Sequence, residues 1–310
     1  MGVGSSQIET PVEIKDEPDP YLKDVKIHLR DINGHMIEWW NEVWLKSPEI
    51  FLEDNKYIDL IKQNIQVTKG DIFQGSDGLI HADSIVSPAN SFGFMDGGID
   101  LVYSERFGWQ MMARLQDEIK TEEFNGELLV GQAIIIPTKD PQNTITYLIS
   151  APTMRVPLDV RGTVNAYLAF KASLMAVRKH NKMIIQNQKE GTLIKSILCP
   201  GLGTAVGRMS FKTCAIQMLK AYENVVLGRV FPHTSLAGFS HEHHDLKTDM
   251  EDGTRPKPAP AREVKQDAPG LDEALPDPTE HEEEHTESTQ TVEQPTEGQQ
   301  EPTQENSSQT

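Results

Sequence analysis

Two glycine-rich loops constrain the fold of this chain more than any other feature. The first lies in IVSPANSFGFMDGGID at residues 85–100, where a β-branched run ends at Pro88 and a helical pattern starts near Asp100. The second is PGLGTAVGRMS at residues 200–210, which joins an apolar run to another helical pattern. A glycine loop that leads into a helix N-terminus collects unpaired N–H groups, which suit a phosphate. Together the loops predict one ligand with a diphosphate, bound in the crevice above the carboxyl ends of the strands.

Two other interpretations of these loops stay open. Both loops could be only tight connections between a strand and a helix, in which glycine supplies positive φ angles. Gly201, Gly203 and Gly207 also resemble a dinucleotide-binding fingerprint, which normally lies in the first βαβ unit and has an acid about twenty residues further on. Here the loop comes late in the chain and its spacing differs by one residue, so the sequence favours the diphosphate crevice over this fingerprint.

The middle of the chain alternates between short apolar runs and helical patterns, which indicates a sheet covered by helices on both faces. One helical pattern is predicted from Asp100 to Lys120, and two more begin after Thr163, a suitable N-cap, and after Ser210. The sequence therefore predicts an α/β fold. The apolar runs lie at residues 25–29, 65–67, 79–86, 128–136, 146–149 and 194–198.

The two ends of the chain differ in composition from the middle. Residues 1–20 and 246–310 carry −4 and −12 of the net charge of −18. The second segment is rich in Pro, Glu, Thr and Gln and has too few apolar residues to offset the entropy of an ordered chain. We therefore predict a disordered N-terminal tail at 1–20, one domain at 21–245 and a disordered acidic tail at 246–310.

The composition also limits the partners and the location. The acidic tails argue against direct DNA binding, which needs clustered Lys and Arg, although they could recruit other proteins. No apolar run approaches the length of a membrane span, and no secretory signal is visible. With two cysteines in core-like patterns, we expect an intracellular protein, cytoplasmic or nuclear or both. Short motifs allow myristoylation at Gly2 and SUMO conjugation at Lys15 and Lys265 without establishing either.

Two further clusters receive plain structural interpretations. HMIEWWNEVWLK at residues 35–46 has three tryptophans at helical spacing, which is more typical of a core than of a ligand site. HEHH at residues 241–244 has no Cys and no second cluster to complete a metal site. We expect no metal and no cofactor.

With both loops in place, the sequence resembles a macrodomain, the ADP-ribose-binding α/β module. Three blocks carry the resemblance in the order of the family, namely VTKGDIF at 67–73, DSIVSPANSFGFMDGGIDLVYSERFG at 83–108 and ILCPGLGTAVGRMSFKTCA at 197–215. The resemblance covers about residues 64–230, and the segment 24–56 looks like an N-terminal elaboration. It implies a three-layer α/β/α fold with a mixed central sheet.

The resemblance also implies roles for individual residues. Asp71, beside Ile72, would accept a hydrogen bond from the adenine amino group, a task that suits a carboxylate, although Asp is equally common as a turn cap. Asn90 would hold the distal ribose, and Asp100 would orient or activate the attacking water in hydrolytic members. The implied ligand-binding residues are Asp71, Ile72, Asn90, Gly97, Gly98, Ile99, Gly201, Gly203, Thr204, Ala205, Val206 and Gly207, and the implied catalytic residues are Asn90 and Asp100.

The chain departs from the family pattern at several of these positions. Ala205 stands where the family usually has Gly, and a Cβ tolerates positive φ poorly. The aromatic residue often found beyond the second loop is missing. Ser104 replaces the His that follows the catalytic Asp in many hydrolases, and Asp96 adds negative charge where Gly is common. Nucleotide binding is therefore expected, whereas turnover stays open.

Three main functions are compatible with the sequence, and the resemblance adds a fourth, a phosphatase activity on ADP-ribose 1″-phosphate, which the sequence does not separate from deacylation. The first is binding of ADP-ribose, free or attached to a protein or metabolite, with hydrolysis of ADP-ribosyl or O-acetyl-ADP-ribose linkages by a water that Asn90 and Asp100 position. The second is a non-catalytic ADP-ribose reader. The third is an interaction protein with a degenerate pocket, in which the Trp-rich helix is the interface.

Overall fold

The computed structural model describes residues 17–52, 54–229, 233 and 235–247. The two predicted tails therefore fall almost entirely outside the described residues, as do Gly2, Lys15 and Lys265. The predictions made for them stay predictions.

A six-stranded sheet forms the centre of the described chain, with the strand order β2-β1-β8-β5-β7-β6. Strand β6 runs antiparallel to β7 and the other neighbours are parallel, so the predicted mixed sheet is confirmed. A two-stranded ribbon, β3-β4, accompanies it. The strands are β1 Lys26–Asp31, β2 Ile65–Lys69, β3 Gln74–Gly75, β4 Gly78–Leu79, β5 Ala82–Ser87, β6 Ile134–Pro137, β7 Ile145–Ser150 and β8 Ser196–Cys199.

Seven α-helices are present in the described residues. Ser210 caps the helix that follows it, and its Oγ accepts a hydrogen bond from the Thr213 N–H. Thr163, the N-cap that the sequence predicted, lies one residue before the cap position at Val164, and its hydroxyl accepts a hydrogen bond from the Asn165 N–H (3.3 Å). The single helix predicted from Asp100 to Lys120 is wrong, because Gly108 takes φ +84° and divides it into two helices. The helices are α1 Gly34–Trp40, α2 Ile58–Asn64, α3 Gly98–Phe107, α4 Gln110–Ile119, α5 Asn165–Ile185, α6 Phe211–Val225 and α7 Leu236–Lys247.

The sheet separates two hydrophobic cores, because successive side chains of a strand point to opposite faces. In β8, Leu198 belongs to one core, while its neighbours Ile197 and Cys199 belong to the other. Helices α3 and α4 cover the Leu198 face, and α1, α2, α5 and α6 cover the opposite face. This arrangement is the three-layer α/β/α fold that the resemblance implied.

The N-terminal segment is part of this architecture. Strand β1 lies between β2 and β8, with Leu29 aligned with Val67 on one side and with Cys199 on the other. Trp40 and Trp44, in α1 and in the π-helix Asn41–Lys46 that follows it, are fully buried. The predicted core role of the tryptophan segment is thus confirmed, and the segment 24–56 completes the sheet and one of its cores.

Candidate functional site

A cleft of about 670 Å³ lies at the carboxyl ends of β1, β2, β5 and β8. Both glycine loops line it, together with the turn after β2 and the end of β1. The cleft brings together the residues that the sequence singled out. Those that line it are Asp71, Ile72, Asn90, Gly97, Gly98, Ile99, Asp100, Gly201, Gly203, Thr204, Ala205, Val206 and Gly207.

Asn90 shapes the first glycine loop through its side-chain amide. Its Oδ1 accepts hydrogen bonds from the N–H groups of Phe92 (3.1 Å) and Phe94 (3.2 Å), and its Nδ2 donates to the Phe94 carbonyl (2.9 Å). Gly93, inside the turn, has φ +70°, and a Cβ there would lie 2.9 Å from Ile119. The amide of Asn90 is therefore engaged with its own loop, and the loop presents its backbone to the cleft.

The loop continues directly into the N-terminus of α3. Gly97 is the N-cap in extended conformation, and Gly98 has φ +58°, a value that favours glycine. The first N–H groups of a helix lack intrahelical partners and carry the positive end of the helix dipole. Gly97, Gly98 and Ile99 line the cleft, so this helix end offers it an anion-binding surface.

Asp100 is buried in the first turn of α3, at the end of strand β5. The Ser87 hydroxyl donates a 2.5 Å hydrogen bond to its Oδ1. Burial raises the pKa of Asp100, the hydrogen bond from Ser87 lowers it, and the nearby carboxylate of Asp96 raises it, so that the pKa is about 7. A carboxyl group with this pKa exchanges a proton near neutral pH, which suits a general base.

Asp71 lies at the opposite end of the cleft, in the turn after β2. Its Oδ1 accepts the N–H groups of Phe73 (2.9 Å) and Gln74 (3.1 Å), so one carboxylate oxygen caps the turn. The other, Oδ2, has no hydrogen bond to any residue within the described part of the chain. The side chain of Ile72 is buried beside it and gives this end of the cleft an apolar wall.

The second glycine loop is tightly folded. Gly203 has φ +70°, and Gly207 lies so close to it that a Cβ on Gly207 would be 2.5 Å from the Gly203 carbonyl oxygen. Ala205 has no positive φ angle, because the left-handed positions fall on Gly203 and Arg208. The alanine therefore causes no backbone strain, and its N–H is still available to a ligand.

Ser104, at the position of the family's His, does not line the cleft. It is buried in α3, and its hydroxyl donates a 2.6 Å hydrogen bond to the Met95 carbonyl. Its role in this structure is to hold the first glycine loop against the helix.

Three residues that the sequence reasoning missed also line the cleft: Arg30, Asp31 and Phe94. Asp31 ends β1, and its carboxylate accepts the N–H groups of Asn33 (2.8 Å) and Gly201 (3.1 Å). Burial raises its pKa, although these N–H groups lower it. Phe94 is 47% exposed and puts an aromatic ring at the rim from the first loop rather than the second. The Asp-x-Asn-Gly end of β1 was the available signal for Asp31.

The charge of the cleft wall is strongly negative. The guanidinium of Arg30 is engaged by the carbonyl oxygens of Asp71 (2.6 Å) and Gln74 (2.7 Å) and by the Thr68 hydroxyl. Arg30 therefore stiffens the turn after β2. The charged residues that line the cleft, within the described ranges, are Arg30, Asp31, Asp71, Asp96 and Asp100.

Three further observations bear on the sequence predictions. Among the described residues, no group of three or more His, Cys, Asp or Glu side chains is arranged to hold a metal ion. No helix in the same part of the chain has the length and apolar character that crossing a membrane requires. Cys199 and Cys214 are buried free thiols.

Comparisons with known proteins find a similarity to the Macro domain. The family model of the Macro domain matches residues 86–218. A relative from Aquifex aeolicus (strain VF5), named only as an uncharacterized protein, is 29% identical over 158 residues, or 51% of this chain and 79% of that protein.

Solved macrodomains give a weaker likeness. The macrodomain of Mycobacterium tuberculosis DarG is 18% identical with a TM-score of 0.40, over 51% of this chain and 88% of that one. A mutant macrodomain of Oceanobacillus iheyensis with ADPR is 20% identical with a TM-score of 0.38, over 51% and 75%. The match to the family model begins after Asp71 and Ile72.

Proposed function

We propose that the cleft binds ADP-ribose, either free or attached to a protein or metabolite, and hydrolyses the bond at the distal ribose. The similarity of residues 86–218 to the Macro domain, a module that binds ADP-ribose, supports this proposal. The bond broken is an ADP-ribosyl or an O-acetyl-ADP-ribose linkage. Asp100 is the proposed base.

One observation carries the binding proposal. The N-terminus of α3 and the loop 200–207 line the same cleft, with Asp71 at one end and Asp100 at the other. The two glycine segments offer backbone N–H groups to a diphosphate. A purine amino group can donate to the open oxygen of Asp71 while its ring contacts Ile72. The distal ribose then lies beside Asn90 and Asp100.

The chemical step follows from the environment of Asp100. A water molecule attacks the anomeric carbon or the acyl carbon, and the carboxylate of Asp100 accepts the proton that the water loses. Attack at the anomeric carbon breaks its C–O bond, and the substrate's carboxylate leaves with the bonding electrons. Attack at the acyl carbon breaks the acyl C–O bond, and the ribose oxygen leaves with the bonding electrons and takes the proton from Asp100. Because burial brings the pKa of Asp100 to about 7, the base is part ionised at neutral pH and strong enough to take the proton. Diphosphate contacts hold the ribose near the water and so lower the entropic barrier.

A second candidate, the non-catalytic reader, is favoured by one specific contact set. The side-chain amide of Asn90 makes three hydrogen bonds with Phe92 and Phe94 of its own loop, and a ribose must replace some of them if Asn90 is to hold it. The third candidate has less support, because Trp40 and Trp44 are core residues and cannot form an exposed interface.

The binding proposal is tested by isothermal titration of the full chain with ADP-ribose. We expect saturable binding that Asp71→Ala weakens by roughly tenfold or more, the cost of one hydrogen bond to a charged group. Asp59→Ala, in the first turn of α2 and away from the cleft, is the matched control and should leave the affinity unchanged. Absence of binding by the wild-type chain would refute the proposal.

The catalytic step is tested separately by release of ADP-ribose from an ADP-ribosylated protein and from O-acetyl-ADP-ribose. Asp100→Asn should lose turnover on the order of a hundredfold or more while still binding ADP-ribose. For the wild type, the rate should rise as the pH increases through about 7, because only the ionised carboxylate accepts a proton. If the wild type binds ADP-ribose but releases none, the reader is the correct function.

A further inference from the structure

The order of the strands sets the order of the groups along the cleft. Strands β2, β1, β8 and β5 are parallel neighbours, so their carboxyl ends lie side by side at one edge of the sheet. Asp71 follows β2, Asp31 ends β1, Gly201 follows β8, and Asp100 is bonded to the end of β5. Adjacent strands are about 4.8 Å apart. A ligand that extends from Asp71 to Asp100 must therefore cross the end of β1.

ADP-ribose has its own fixed order of adenine, adenosine ribose, diphosphate and distal ribose. If the adenine lies at Asp71 and the diphosphate at the loop 200–207, then the adenosine ribose lies between them, at the end of β1. The cleft residues at this position are Asp31, Ile32 and Asn33. Asp31 is the charged member of this group.

The carboxylate of Asp31 is held in one orientation by backbone N–H groups. Oδ1 accepts from Asn33 and Oδ2 from Gly201, and the Ile32 N–H also stabilises the charge. Gly201 has no room for a side chain here, because a Cβ would lie 2.9 Å from Asp31 Oδ2. An ionised carboxylate accepts about four hydrogen bonds, so the group keeps capacity for a ligand hydroxyl.

We propose that Asp31 accepts hydrogen bonds from the hydroxyl groups of the adenosine ribose and makes the cleft selective for nucleotides that carry no phosphate there. The inference rests on the proposed binding of ADP-ribose. A fixed carboxylate pairs well with a ribose 2′-hydroxyl, whereas a 2′-phosphate brings about two negative charges to the same place. Arg30, the basic residue among the described residues that line the cleft, is engaged by carbonyl oxygens of the turn after β2 and does not offset that repulsion.

The test compares two ligands by isothermal titration of the full chain: ADP-ribose and the same molecule with a phosphate on the adenosine 2′-oxygen. We expect the wild type to bind the phosphorylated ligand on the order of tenfold more weakly or worse. Asp31→Asn keeps the size of the side chain but removes its charge. The ratio of the dissociation constant of the phosphorylated ligand to that of ADP-ribose should therefore fall severalfold. This ratio is a readout that a purely structural role does not change.

Asp83→Asn is the matched control. Asp83 is also a carboxylate that accepts a backbone N–H, from Lys195 (2.8 Å), but it lies at the amino ends of β5 and β8, at the opposite edge of the sheet. Its substitution should leave the ratio of dissociation constants at the wild-type value.

Two results would overturn this inference about Asp31 and leave the proposed binding of ADP-ribose standing. One is equal binding of both ligands by the wild type, which decides the matter even if Asp31→Asn does not fold. The other is an Asp31→Asn variant that loses affinity for both ligands by the same factor, since Asp31 would then act only by holding Gly201. Failure of the wild type to bind ADP-ribose would overturn the proposed function and this inference with it.

Discussion

The carboxyl group of Asp100 is buried beside Ser87, and this burial has a consequence for stability as well as for chemistry. Folding raises the pKa from its ordinary value of 3.8 to about 7. Between these two pH values the folded protein holds a proton that the unfolded chain has released. The stabilisation is therefore fully present below about pH 4 and is lost as the pH rises through about 7.

Asp100→Asn has nearly the same shape and no charge at any pH, so it should remove this loss. At about pH 8 we expect its free energy of unfolding to exceed that of the wild type by up to about 4 kcal/mol, the equivalent of the change in pKa. Near pH 4 the two proteins should be similar. Urea unfolding at both pH values measures the difference. Asp96→Asn, at an exposed neighbouring position, should change the free energy of unfolding at pH 8 far less. An Asp100→Asn variant that is no more stable than the wild type at pH 8 would contradict the prediction.

At the scale of elements, helix α7 is attached to α6 through a network of ionic contacts. Lys220 of α6 donates to Glu223 (3.0 Å) and to Glu242 of α7 (2.9 Å), and Glu242 also contacts His233 (3.0 Å). Lys220 and Glu223 are buried, so the charges depend on one another rather than on water. The amide of Gln217 adds a hydrogen bond to the Leu246 carbonyl at the end of α7.

Glu242→Gln should loosen α7, because it removes the negative charge by which α7 contacts the buried ammonium of Lys220 and leaves Glu223 of α6 as its carboxylate partner. We expect the backbone amides of α7 to exchange hydrogen on the order of tenfold faster or more, while those of β8 keep their protection. Hydrogen exchange followed by mass spectrometry measures both. Asp245→Asn is the control on the same helix, since its contact with His241 is largely exposed to solvent. Equal exchange in both variants would show that the network does not hold α7.

At the scale of the whole molecule, the family resemblance marks too small a folding unit. Residues 64–230 lack β1, so a fragment with these limits would leave unpaired edges on β2 and β8 and a core without Trp40 and Trp44. We expect no cooperative thermal transition from it by circular dichroism, whereas residues 17–247 should unfold cooperatively. A cooperative transition in the shorter fragment would show that β1 is dispensable.

The sequence predicted the local features of the site better than the distant ones. The two glycine loops and the start of the helix after Ser210 could be recognised because their signals lie within a few neighbouring residues. The contact between Asp31 and Gly201 could not, since it depends on the pairing of β1 with β8 across most of the chain. Likewise, nothing in the helical pattern before Lys120 showed that Gly108 would interrupt it.

The negative wall of the cleft has a consequence for how ionic strength acts on this protein. Phosphate sites built from Lys and Arg lose affinity as salt is added, because salt screens an attraction. Here four aspartates and one engaged arginine face the ligand, so the long-range interaction with a diphosphate is repulsive and the backbone N–H groups supply the attraction at short range. Added sodium chloride should therefore speed association with ADP-ribose and tighten binding modestly. Stopped-flow measurement of the association rate across a salt series tests this prediction. An association rate that falls as salt is added would show that the long-range interaction is attractive.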